Sequence, residues 1–161
     1  MTTQAQTAAV RVQIIVEAPI ERAFRVFVDD FDRIKPRDHN LLAVDIEETV
    51  FEPRAGGHVY DRGVDGSECR WARVLAYEPP TRVVFSWDIN LQWKIETDPA
   101  RTSEIEIVFT PEGDGGTRVD LEHRHLDRHG DGWENMRGAV ASPGGWGRGL
   151  ERFAEALQAA A

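Results

Sequence analysis

An α+β fold, in which a curved antiparallel sheet of about seven strands wraps around one long C-terminal helix, is what this sequence of 161 residues predicts. Three observations lead there. Stretches of alternating apolar and polar residues follow one another from residue 41 to residue 126 with short connections, which sets neighbouring strands antiparallel. Helical spacing of apolar residues is confined to one segment after the first strand and one at the C-terminus. The composition, 41% hydrophobic and 29% charged, is that of a globular chain, and the length suits one domain with its own core.

Residues 1–8 read as a loose tail and residues 9–161 as the domain. In VRVQIIVE, Val10, Val12, Ile14 and Val16 share a face, which is strand periodicity. Pro19 stands where a first helical turn tolerates it, and Ile20, Ala23, Phe24, Phe27 and Phe31 follow at helical spacing. DDFDRIKPRDHN, broken by Pro36, is expected to hold a short second helix and a loop. Six further strands are expected in LLAVDIEETVF, HVYDRG, ECRWARVLAYE, TRVVFSWDIN, SEIEIVFTPE and TRVDLEHRHL. Gly56-Gly57, Asp65-Gly66, Pro79-Pro80 and EGDGG punctuate them. Ser142 fits a helix N-cap and Pro143 a first helical residue, after which Trp146, Leu150, Phe153 and Leu157 form one apolar stripe.

The stretches VEAPIERAFRVFVD, FEPRAGGHVYDRGVDG, WARVLAYEPPTRVVFSW, FTPEGDGGTRVDLEH and GGWGRGLERFAEAL resemble the activator of heat-shock-protein ATPase homologue family, from about residue 10 to the end. That family belongs to the START/Bet v-like helix-grip superfamily, also called SRPBCC proteins. The resemblance implies a helix-grip fold with two short helices after the first strand, and a deep cavity between sheet and helix that often holds an apolar small molecule. It implies no shared catalytic set, although a minority of the superfamily are cyclases or hydrolases. A chaperone ATPase partner and a role in stress response are further associations of the family name. The eukaryotic co-chaperones carry an additional N-terminal domain that these motifs do not cover, so that function does not carry over directly.

The formal charge of −9, with basic residues scattered singly, argues against a nucleic-acid surface and against adhesion to anionic membranes. Cys69 is the one cysteine, so no internal disulfide forms, as in a reducing cytosol. The opening MTTQAQTAA is no signal peptide and no apolar run reaches membrane-spanning length, so a cytoplasmic location is expected. A homodimer is compatible with this composition.

Residues that could carry chemistry cluster in LEHRHLDRHGDGWE, which holds His123, His125 and His129. Strand alternation puts Thr117, Val119, Leu121, His123 and His125 on one face, and the apolar first half of that face must point to the helix. His123 and His125 are therefore expected at the wet end of the cavity. A His-x-His pair can ligate zinc, but nothing in the sequence places a third ligand beside it, so no metal or other cofactor is assigned.

Five tryptophans are the stronger signal. Trp71, Trp87 and Trp93 lie on or beside central strands, Trp133 in the loop after the histidine strand, and Trp146 on the final helix. Trp71 is expected to share a face with Arg73, Leu75 and Tyr77, and Trp87 with Val83, Phe85 and Ile89. With Phe85, Leu121, Gly149 and Leu150 they would wall a small-molecule pocket, for which aromatic side chains and a few polar groups are the usual lining. Glycines 144, 145, 147 and 149 are dense for a helix, and imply either close packing on the sheet or a loose gate.

The leading expectation is a protein that binds a small apolar or aromatic, lipid-like molecule, with no catalytic residue assigned. An enzyme of cyclase or hydrolase type would use His123 or His125 as its acid–base group. A chaperone-associated interaction protein is the third alternative.

Overall fold

The computed structural model describes residues 8–159, so most of the expected N-terminal tail, residues 1–7, falls outside the described residues. In chain order the elements are β1 (Val10–Val16), α1 (Ile20–Asp29), α2 (Phe31–Ile34), β2 (Ile46–Phe51), β3 (His58–Gly63), β4 (Glu68–Glu78), β5 (Arg82–Trp87), β6 (Ser103–Glu112), β7 (Gly116–Arg124), α3 (Trp133–Ala141) and α4 (Trp146–Ala159). The seven strands form one curled sheet in the order β1-β7-β6-β5-β4-β3-β2, with every neighbouring pair antiparallel. Consecutive hairpins build β2 to β7, while α1 and α2 carry the chain from one edge strand to the other. This is the α+β helix-grip architecture expected.

The inner face is apolar because alternation puts it there. Ile105, Ile107 and Phe109 of β6, with Val119 and Leu121 of β7, are almost wholly buried under the helices. Alternate residues on the outer face are charged, and Glu104 and Glu106 pair with Arg124 at 3.1 and 3.0 Å. Leu150, Phe153, Ala156 and Leu157 are the buried stripe of α4. Phe153 meets Phe27 edge-on at 5.3 Å between ring centres, and Phe27 meets Phe109 at 5.8 Å, so helix α4, helix α1 and the sheet share one aromatic core.

Local structure departs from simple periodicity in three places. In β4 the register shifts twice: Val59 and Tyr60 pair with Ala72 and Arg70, and Val74 and Ala76 with Phe85 and Val84. The extra residues, Trp71 and Leu75, form bulges, and each bulge resets which face the strand presents. Trp71 therefore faces the core at 3% exposure while Leu75, expected on its face, is 41% exposed. Residues 41–45 form a loop before β2, because Asn40 accepts from the Leu42 N–H at 2.8 Å and donates to the Val44 carbonyl at 2.9 Å.

The third departure is at the C-terminus. Trp133, expected in a loop, instead starts helix α3, whose single buried side chains Met136 and Val140 give too little periodicity to mark it. Ser142 ends α3 instead of starting α4, its N–H and hydroxyl both donating to the Ala139 carbonyl. Pro143 has no N–H to continue the ladder, so it breaks what would be one long helix, and α4 begins at Trp146. Gly145 makes the corner possible: a Cβ there would lie 2.1 Å from the Val140 carbonyl oxygen. Nothing crowds Gly144 or Gly147. Gly145→Ala is therefore expected to cost about 1–3 kcal/mol by forcing α3 and α4 apart, whereas Gly147→Ala, inside α4, should gain up to about 1 kcal/mol. Denaturant midpoints of the two variants test this, and a neutral Gly145→Ala would refute the corner.

Candidate ligand cavity

Where α2, α3 and the start of α4 meet the inner face of β3, β4 and β5, side chains do not fill the space. A cavity of about 430 Å³ remains there. Trp71 of β4, Trp87 of β5 and Trp146 of α4 form its aromatic wall, closed further by Phe31, Ile34, Val140 and Gly149. Trp93 stands at the rim, 47% exposed, on the tip of a short hairpin bridged by Ile89 and Ile95. Its left-handed backbone, φ 59°, is held by Asn90, whose side chain accepts from the N–H groups of Gln92 and Lys94. Trp71, Trp87 and Trp146 stand edge to face, with ring centres of neighbours 5.9 and 6.0 Å apart. The indole N–H groups of Trp71 and Trp87 are buried without an acceptor among the described residues.

One charged pair interrupts this wall. Asp61 is an inward-facing residue of β3, 2% exposed, and Lys35 ends α2 because Pro36 pushes the preceding residue into extended backbone. Lys35 Nζ lies 3.0 Å from Asp61 Oδ2 and 5.8 Å from the centre of the Trp71 ring. Thr49, opposite Asp61 on β2, donates its hydroxyl to Asp61 Oδ1 at 2.7 Å. Neither Lys35 nor Asp61 was a candidate from sequence. For Asp61 a signal existed: it shares a face with the fully buried Val59, so a carboxylate stands in an inward row. For Lys35 there was none.

The histidines lie behind the wall. His123 is fully buried and its ring centre is 5.2 Å from that of Trp87. Trp146 Nε1–H donates to His123 Nδ1 at 3.0 Å, and an indole nitrogen can only donate, so Nδ1 carries no proton. Burial, with the neighbouring His129 adding to it, pushes the His123 imidazole down to about 3, which keeps it neutral with its proton on Nε2. That proton is donated to Ser103 Oγ at 2.8 Å, and the Ser103 hydroxyl in turn donates to His129 Nε2 at 2.7 Å. Burial also lowers His129, leaving its proton on Nδ1, which has no acceptor among the described residues. The chain Trp146–His123–Ser103–His129 thus has one direction of donation throughout, and it fixes Trp146 against the cavity.

His125 does not continue the inward row. Strand β7 ends at Arg124, and His125 turns into left-handed backbone, φ 63°, with its side chain exposed. A row of alternating residues holds only as long as the strand does. Of the other residues expected at the pocket, Trp71, Trp87, Trp93, Trp146 and Gly149 border it. Phe85, Leu121 and Leu150 are buried in the core, and Trp133 packs against that core from the start of α3. Among the described residues no three His, Cys, Asp or Glu side chains come together as metal ligands would.

Comparison with known proteins agrees with this architecture. The family described as Activator of Hsp90 ATPase homolog 1-like protein matches residues 17–158. Comparison with curated proteins by sequence finds no match. Among solved structures, an anthrahydroquino-γ-pyrone synthase in a complex is 40% identical, with 92% of this chain and 96% of that one covered and a TM-score of 0.64. The self-sacrificing resistance protein CalC from Micromonospora echinospora is 25% identical over 96% of each chain, TM-score 0.68. A protein from Nitrosomonas europaea, 15% identical over 97% of each chain with a TM-score of 0.69, shares the fold.

Proposed function

We propose that this chain, which belongs to the Activator of Hsp90 ATPase homolog 1-like family, binds a flat, fused-ring aromatic small molecule in the cavity between its sheet and its C-terminal helices. The observation that carries this reading is the wall itself: about 430 Å³ of space bordered by Trp71, Trp87, Trp93 and Trp146. Pockets for small molecules are typically about 300–1,000 Å³, apolar, and furnished with few polar groups. Indole faces and edges suit a planar ring system, which gains both burial and stacking there. The 40% identity to a synthase of anthrahydroquino-γ-pyrones supports a fused-ring ligand over a flexible lipid.

The test is a titration of anthraquinone into the protein, followed by tryptophan emission and by melting temperature. Emission should be quenched, and at a hundredfold excess over Kd the folded state should gain about 2.7 kcal/mol. Added salt should change little, because anthraquinone carries no charge. Gly149→Leu should abolish binding in a folded protein, since a Cβ at Gly149 has room, 3.7 Å from the Trp146 ring, while the rest of a leucine would enter the cavity. No response to any fused-ring compound would refute the reading, and an interaction with a chaperone ATPase would then lead.

The same identity favours a second reading, that the chain also acts on what it binds, as a ring-closing enzyme of cyclase type. His123 is poorly suited to the acid–base work, since both its ring nitrogens are engaged and it is fully buried. Ring closure would be read by mass as loss of one water when a phenol carrying an ortho β-diketone chain becomes a fused pyrone.

A further inference from the structure

We propose that Lys35 and Asp61 are the specificity-determining pair of the cavity, and that they read a hydroxyl conjugated with a carbonyl on the edge of the aromatic ligand. The proposal rests on the reading of the cavity as a fused-ring site. Both residues border the cavity, and among its bordering residues they form the buried ion pair. Stability alone gives no reason for such a pair, because well-packed apolar side chains of similar volume serve a core as well or better. Asp38 and His39, polar residues that also border the cavity, are exposed at its rim and need no such reason.

Hydrogen-bond capacity supports the same assignment. An ammonium group has three donors. Lys35 donates to the His39 carbonyl and pairs its charge with Asp61 Oδ2, and among the described residues its ammonium has no further hydrogen-bond partner. Asp61 Oδ1 takes the Thr49 hydroxyl and Oδ2 takes Lys35, which leaves further lone pairs on the carboxylate. Protein contacts thus anchor the pair, while a donor and an acceptor with spare capacity stand 3.0 Å apart beside the cavity. A ligand hydroxyl donating to Asp61 next to a ligand carbonyl accepting from Lys35 meets both. In a vinylogous acid the two oxygens are joined through conjugation, which makes the hydroxyl a stronger donor to the carboxylate and the carbonyl a stronger acceptor from the ammonium. A bare arene satisfies neither group, and its entry would shield both from water without replacement.

Three probes separate the possibilities: alizarin, its dimethyl ether, and anthraquinone, each titrated by tryptophan quenching. Alizarin should bind the wild-type protein at least about tenfold more tightly than either of the others, the expected worth of a charge-assisted hydrogen bond. Its visible absorption should also show ionisation at a higher pH when bound than when free, because the Asp61 carboxylate holds the protonated hydroxyl and opposes the anion. In the double variant Lys35→Met/Asp61→Asn, chosen because removing one partner strands the other, the three affinities should converge and the absorption shift should shrink to what burial alone gives. Equal affinities in the wild-type protein overturn the proposal and leave the cavity reading standing. Preference for alizarin that persists in the double variant also overturns it. Failure of all three probes to bind removes the cavity reading and the proposal together. The wild-type series is decisive by itself if the double variant does not fold.

Discussion

Lowering the pH from about 6.5 to about 4.5 is expected to remove about 2–3 kcal/mol of folding stability through His123 alone, at about 1.4 kcal/mol per pH unit. The folded imidazole is neutral down to about 3, whereas in the unfolded chain it takes a proton near its ordinary value of 6.5. Above the unfolded value neither state binds the proton and stability is complete. As the pH falls below it, only the unfolded state gains the proton, so stability drains until the folded value is reached. His129 is lowered by burial too and adds to the loss in the same direction. Asp32 and Asp120, also lowered, lose their contribution only as the pH approaches the ordinary carboxylate value of 3.8 and below, outside this window. Urea midpoints of the wild-type protein and His123→Gln, measured across this range, provide the check. The variant's dependence should be shallower by about 1.4 kcal/mol per unit. Parallel curves would mean that His123 titrates in the folded state, and the proton assignments along Trp146–His123–Ser103–His129 would fall with that result.

Phe153→Ala is expected to cost about 3–5 kcal/mol and to lower the melting temperature by about 10 °C or more. Phe153 is fully buried where α4 meets α1, and its ring packs edge-on against Phe27, itself in contact with Phe31 and Phe109. Truncation leaves a hole that neither the sheet nor the helices can fill without moving one another. Ile15→Ala serves as control: that side chain is 56% exposed on edge strand β1, and its loss should stay within about 0.5 kcal/mol. A cost for Phe153→Ala no larger than the control's would contradict the packing of α4 on the concave face. Because the cavity lies toward the start of α4, at Trp146 and Gly149, the truncation should leave ligand binding measurable in protein that remains folded.

The sequence by itself determined the strands, the inward faces of α1 and α4, and the antiparallel pairing of the sheet. Alternation in Val10–Val16, Ser103–Glu112 and Gly116–Arg124, and four-three-four spacing from Trp146 to Leu157, are local consequences of backbone geometry. They survive in any context that supplies an apolar partner. Family motifs then identified the helix grip, and tryptophan count with strand position brought Trp71, Trp87, Trp93 and Trp146 to one region. What local periodicity could not reach were the breaks in it. Bulges at Trp71 and Leu75, the turn at His125 and the corner at Gly145 each depend on a neighbouring strand or helix that must be placed first. The polar half of the site depended on tertiary structure in the same way. Lys35 and Asp61 are 26 positions apart in sequence, on a helix end and a strand, and Ser103 joins His123 to His129 across a different pair of elements. Only the closing of the sheet around α4 sets those groups within 3.0 Å of one another, because an ion pair or hydrogen bond between distant residues leaves no period in the chain that forms it.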